Sequence, residues 1–210
     1  MADWATISSL ATAGGTLVLA AATFASVRSA HRAARATERA LLAGIRPVLV
    51  PSRLQDPPEK VNFRDDHWVK VGGGRAVAEI SNDAIYLAIA LRNVGTGLAV
   101  LDRWDFYSER LAGDATYRPP ETFWRLTRDI YVPAGDLGFW QGVFRDPTAP
   151  AFAAARESIT GRQPMTVDLV YGDHEGGQRT VSRFALLPYG TSDWIAAIAR
   201  HWNLDRPDPR

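Results

Sequence analysis

The sequence predicts a mainly β protein: one N-terminal transmembrane and stalk helix, then an antiparallel β-sandwich with one short inserted helix and a C-terminal amphipathic helix. Three observations predict it. A charge-free run, Trp4 to Val27, is followed at once by Arg28, Arg32, Arg35 and Arg39. From Arg46 onward, about seven or eight short extended segments alternate with Gly, Pro and Asn turn signals. Within that region, only Pro147–Thr160 and the stretch after Gly190 carry helical signals.

The chain has 210 residues, a net charge of +1 and no cysteine. Setting aside residues 1–45 leaves about 165, one domain of ordinary size with a sizeable core. The division expected is an anchor and stalk over 1–45, a β domain over 46–190, and a helix with a polar tail over 191–210. The charge excess lies in the stalk, where four arginines face Glu38 alone. The remainder is close to neutral and lacks the electrostatic footprint of a nucleic-acid binder. The absence of cysteine leans towards a reducing compartment.

At 1.5 Å per residue, a helix over Trp4–Val27 reaches roughly 36 Å, enough for a hydrocarbon core of roughly 30 Å. A signal peptide needs a basic start and a shorter apolar stretch, and this chain starts Met-Ala-Asp-Trp. A buried soluble helix needs polar residues at a 3.6 spacing. A membrane helix is the expectation, and a modest one. Ile7, Leu10, Leu17, Val18, Leu19, Phe24 and Val27 contribute roughly −2 to −4 kcal/mol to insertion, eroded by Ser, Thr and Gly. With arginines on the C-terminal flank only, the positive-inside rule puts Met1 outside and the β domain in the cytoplasm. Ser8, Ala11, Thr12 and Gly15 fall on one helical face, either a helix–helix contact or lipid-facing filler.

Arg28–Gly44 is a strong helix former that stops at Gly44 with Pro47 beyond. Arg28, Arg32, Arg35 and Arg39, at steps of 4, 3 and 4, make one stripe. As a lipid-surface stripe, each arginine within a Debye length of the bilayer gains about 1 kcal/mol. A topology signal with a solvated face is the preferred reading.

Arg46–Pro51, an apolar run bracketed by prolines, suits a first edge strand, and Ser52–Asp66 a loop. Trp68–Val71 and Ala76–Ile80 flank Gly72-Gly73-Gly74 as a hairpin or a strand with a slack turn; the triple glycine lacks the lysine and helix of a phosphate loop. Ala84–Arg92 is the clearest strand, with Ile85, Leu87, Ile89 and Leu91 on one face and Tyr86, Ala88 and Ala90 on the other. Asn93–Gly97 turns the chain into Leu98–Tyr107. Ile130–Val132 and Leu137–Phe144 flank the Pro133–Asp136 turn. Pro147–Thr160 is a short helix with proline near its start and Gly161 at its stop. Met165–Tyr171 sets Met165, Val167, Leu169 and Tyr171 against polar Thr166 and Asp168, and returns through Arg179–Leu187. After Gly190, Thr191 or Ser192 can cap a helix on which Trp194, Ile198 and Trp202 recur at steps of four. That stripe is expected to dock on the sandwich, the membrane interface or a partner.

Arg46-Pro47 after the anchor, Leu91–Ala99, Val132-Pro133-Ala134-Gly135, and Val170–Asp173 with Gly176-Gly177 are together similar to one set of proteins. The chain resembles uncharacterised bacterial single-pass membrane proteins with an N-terminal helix and an immunoglobulin-like β-sandwich. The resemblance spans most of the chain, implies that fold, and carries no activity.

No chemistry stands out. His31, His67, His174 and His201 are scattered, without metal-ligand spacing. There is no Gly-x-Ser-x-Gly element and no thiol nucleophile, and Asp65-Asp66 falls in a loop. Neither a catalytic residue, a cofactor nor a metal is therefore expected. The function expected is a membrane-anchored, non-catalytic interaction module, its partners being the lipid bilayer and a membrane or cytoplasmic protein or a second copy. The alternatives are an accessory subunit of a transporter or envelope complex held through the helix, or an unrecognised enzyme or small-ligand binder with a deep pocket.

Overall fold

The computed structural model describes residues 3–81, 83–112 and 114–208, with the side chains of 4–11 and 43 outside that description. The chain forms two compact units, Met1–Gly44 and Ile45–Arg210.

The first unit is one helix, α1 (Trp4–Gly44). Every described side chain from Thr12 to Leu42 is exposed, including Leu17, Val18, Leu19 and Phe24. Its polar residues are met within the helix: the Thr16 and Thr23 hydroxyls donate to the carbonyls of Thr12 and Leu19 at 2.9 and 2.7 Å. Such back-bonding lowers the cost of a hydroxyl on an apolar run. Among the described residues, no helix is long and apolar enough to cross a membrane. The expected span begins within 4–11, outside the described side chains.

The second unit is mainly β, and every strand pairing described is antiparallel. Its elements are β1 (Leu49–Pro51), β2 (Glu59–Asn62), β3 (Trp68–Val71), β4 (Arg75–Ser81), β5 (Ala84–Asn93), β6 (Ala99–Tyr107), β7 (Trp124–Val132), β8 (Leu137–Phe144), α2 (Pro150–Thr160), β9 (Met165–Gly172), β10 (Thr180–Tyr189) and β11 (Asp193–Asn203). The large sheet runs β8-β5-β4-β11-β10-β9-β6-β7, with β1 beside the last residues of β5. Residues from both ends of this order share one apolar core with α2, so the sheet folds over on itself.

The alternation of β5 is fully realised. Ile85, Leu87, Ile89 and Leu91 enter the main core, while Tyr86, Ala88 and Ala90 enter a second cluster with Val61, Phe63, Val69 and Val71. That second cluster exists because residues expected to be loop form β2, which pairs with β3 as a separate ribbon over the outer face of β5. The Gly72–Gly74 link is accordingly no hairpin. It carries the chain from the ribbon to the large sheet, with Gly74 at φ +64°.

The C-terminal helix does not form: residues 193–203 are β11, hydrogen-bonded along β10. Trp194 (2% exposed) lies in the main core, Ile198 is 37% exposed, and Trp202 (8%) joins a separate cluster with Phe123, Val170 and Val181. A step of four residues keeps one face in a strand almost as well as in a helix. The register slips opposite Arg183/Phe184, leaving Ala199 without a partner. This bulge turns Trp202 to the opposite face from Trp194.

Three of the quoted turn motifs, Arg46-Pro47, Leu91–Ala99 and Val132–Gly135, converge at one corner. The buried Asn93 side chain accepts from the Val48 and Gly95 amides (3.1 and 3.0 Å) and donates to the Gly97 and Val132 carbonyls (2.7 and 3.0 Å). Its backbone exchanges bonds with Gly135 and Asp136. Gly97 passes so close to Ile45 that a Cβ would stand 1.7 Å from the Ile45 carbonyl oxygen. Asn93→Ala leaves four backbone groups without partners and is expected to cost about 2–4 kcal/mol in urea denaturation, with the slope of the transition unchanged.

Candidate functional site

A concavity opens where the two ends of the sheet order, β7 and β8, lie side by side without a ladder. Its volume is about 630 Å3. The opening has a local cause. β7 pairs with β6 at Ile130–Val132 and again at Trp124–Arg125, and the register slip between them leaves Leu126–Asp129 without partners on β6. Leu126 and Thr127 therefore flank the cleft instead of closing the sheet.

Its apolar wall is built from three strands. Trp104 from β6, Trp124 from β7 and Phe144 from β8 stand with ring centroids 4.8 to 5.5 Å apart and planes tilted by 50 to 85°. This is the edge-to-face geometry that aromatic quadrupoles favour. Behind it, Trp140 meets Trp104 at 5.2 Å, and Trp140 Nε1 is buried with no hydrogen-bond partner.

The mouth is charged. Arg145 donates to Asp65 at 2.5 Å, and the Tyr86 hydroxyl donates to the same carboxylate oxygen at 2.5 Å. Arg145, and then Tyr86, hold the Asp65 carboxyl well below the usual carboxylate range. Asp146 is occupied by the amide and hydroxyl of Thr148, which lower its pKa too. Arg64 and Arg125 also line the cleft, and neither has a carboxylate partner among the described residues.

A second cleft, of about 380 Å3, lies by Arg46, Tyr171 and His201. Arg46 donates to Thr180, Asn203 and Asp205, at 2.6 Å to the last. Below it runs a polar chain. The Tyr171 hydroxyl accepts from the Leu49 amide and lies 2.8 Å from Ser182 Oγ, which is 2.6 Å from His201 Nδ1. Burial raises the Tyr171 pKa. Ser182 is fully buried, so this Ser–His pair offers no nucleophile to a substrate.

A third polar group is sealed inside. Arg183 of β10 forms a two-pronged pair with Asp168 of β9 at 2.8 and 2.7 Å, both fully buried, and donates to the Ala115 carbonyl at 2.6 Å. Across the ladder from Asp168 stands Asp105, held by Arg118 at 3.0 and 3.1 Å. Two carboxylates side by side are matched by two guanidiniums, so the cluster is neutral. Tyr107, between Arg118 and Arg183, has its pKa pushed up to about 12 by burial. The polar face of β9 thus lies beneath the segment that carries Glu109, Leu111, Ala112 and Ala115, where Thr166 bonds the backbone of Glu109 and Leu111 and Arg183 that of Ala112 and Ala115.

Comparison with protein-family models, curated proteins and solved structures finds no match.

The residues singled out in the sequence fall elsewhere. Arg28, Arg32, Arg35 and Arg39 lie exposed on α1. Thr12 and Gly15 are exposed there as well, while the side chains of Ser8 and Ala11 lie outside the described residues. Trp194 and Trp202 are buried packing residues on a strand instead of a helical docking stripe. Among the described residues, no group of three or more His, Asp or Glu could hold a metal ion. The aromatic cleft was missed: Trp104, Trp124 and Phe144 are far apart in sequence, and only the fold assembles them.

Two outcomes follow from the charged groups. Asp65 and Asp56, the latter held down by Arg92, have depressed pKa values in the folded chain. Their stabilising contribution is complete above the unfolded carboxylate pKa and is lost as pH falls through their folded values. Urea midpoints should fall on acidification below about pH 4, and Asp65→Asn should shrink that fall. Asp168→Asn leaves Arg183 buried against a neutral amide, and is expected to cost about 3–5 kcal/mol by the same titration at pH 7.

Proposed function

We propose that this chain is a membrane-anchored, non-catalytic interaction module whose β unit is presented to the cytoplasm. The observation that carries the reading is α1, whose described side chains are all exposed from Thr12 to Leu42, with apolar residues on its N-terminal half and the arginine stripe on the other. Leaving Leu17, Val18, Leu19 and Phe24 in water is unfavourable by roughly 25 cal/mol per Å2, so lipid or protein is their natural surrounding. The described part of the helix falls short of a span, and the reading therefore draws on the charge-free run from Trp4. Four arginines on one flank support the orientation.

The connectivity of the β unit supports an immunoglobulin-like sandwich. β1 or β4 with β5 and β8 would form one face, and β7-β6-β9-β10 the other. The β5–β6 and β8–β9 connections then cross between faces, and β6–β7 and β9–β10 stay within one, as in seven-stranded immunoglobulin domains. β11, which bridges β10 to β4, is an addition to that plan.

The chain has no cysteine, so one introduced at exposed Ser192 gives a clean label site. The full-length Ser192→Cys chain is expected in the membrane pellet after an alkaline wash. It should resist an impermeant maleimide in intact bacterial spheroplasts and react after lysis. Recovery in the soluble fraction contradicts the anchor, and labelling of intact spheroplasts contradicts the orientation.

A further inference from the structure

We propose that the cleft between β7 and β8 is a binding site for a small aromatic carboxylate. The inference goes beyond the membrane reading and does not depend on it.

The cleft has the size of a small-molecule site. At about 630 Å3 it lies within the range of pockets that enclose most of a small ligand's surface. Its wall is aromatic on three sides, and Trp124 remains 40% exposed although it stands 4.8 Å from Trp104. Trp124 would bury that surface against an added ring, and a ring extends the edge-to-face set that Trp104, Trp124 and Phe144 already make. A saturated chain fills the same volume without that geometry.

The charge at the mouth selects the other end of the ligand. Arg145 is matched by Asp65, while Asp146 accepts only from neutral Thr148 and keeps its negative charge, so three arginines of the lining face two carboxylates. Arg64 on the segment after β2 and Arg125 on β7 have no carboxylate partner among the described residues, and the lining as a whole carries one net positive charge. A planar guanidinium is matched by a carboxylate, which accepts two parallel N–H donors. The pair sits at the rim and the rings inside, so a ligand enters with its apolar body first and its carboxylate facing solvent.

The sheet explains why the site persists. Residues Leu126–Asp129 have left the ladder with β6, and β8 gives its hydrogen bonds to β5 alone. The gap is therefore not closed by pairing of β7 with β8, and Trp104 and Phe144 are held from behind by the main core.

The test is calorimetric titration of the full chain in phospholipid nanodiscs with 1-naphthoate, supported by tryptophan fluorescence. Saturable binding is expected, weakening as salt is raised. Neutral 1-naphthamide and aliphatic decanoate should each bind several-fold more weakly. Trp124→Ala should weaken 1-naphthoate by about tenfold. The double variant Arg64→Gln/Arg125→Gln should remove most of the preference for the carboxylate over the amide while leaving the amide affinity unchanged. Both sites are exposed, and unchanged circular dichroism and urea midpoints verify folding. Uptake of 1-naphthoate that does not saturate, or saturable binding that neither variant alters, overturns the proposal. Decanoate binding as tight as 1-naphthoate overturns the aromatic assignment.

Discussion

The β unit hangs on β5 and on the carboxamide that ends it. β5 pairs with β1 and β4 along one edge and β8 along the other, and each of its faces enters a different apolar cluster. A strand so enclosed has no freedom to slip, because a shift of one residue would exchange Ile85, Leu87, Ile89 and Leu91 with Tyr86, Ala88 and Ala90, which are packed under the β2–β3 ribbon. Asn93 then fixes where the strand stops. Its four side-chain bonds tie the start of β1, the turn into β6 and the end of β7 to one point.

The same enclosure decides where the sheet remains open. β5 and the Asn93 corner hold β7 and β8 together at the Val132–Asp136 end, while the slipped register of β7 lets them separate towards Trp124 and Phe144. A closed end and a splayed end make a wedge, and aromatic side chains line its open part. On the opposite region of the sheet, polar residues are sealed. The Arg183–Asp168 and Arg118–Asp105 pairs secure Ala112, Ala115 and Arg118 over β9 and β10 through matched charges. Removing Asp168, Arg183 or Arg118 would strand a charge away from water, on Arg183, Asp168 or Asp105 respectively.

What could be read from the sequence followed the strength of its periodic signals. β5 was legible on both faces, as were the limits of β6, β8, β9, β10 and α2 to within a few residues. The C-terminal element was misread because Trp194, Ile198 and Trp202 at steps of four suit either period, and β11 conceals a bulge at Ala199 that no local signal marks. Asp168 and Thr166 could be read only as the polar side of β9, because alternation says only that they leave the core. That a long connection would cover them is a tertiary fact. The ribbon strand β2 was lost in a polar stretch, where Val61 and Phe63 alone mark the buried side. The cleft itself required β6, β7 and β8 to be brought together.

The most direct test of this account is native-state hydrogen exchange at the Val48 and Gly95 amides, the two donors that end on Asn93. If the carboxamide is the clasp of the fold, both exchange only with global unfolding and share its urea dependence, although they lie outside the strand ladders. Exchange of either amide at the rate of an open loop, insensitive to urea, would contradict it.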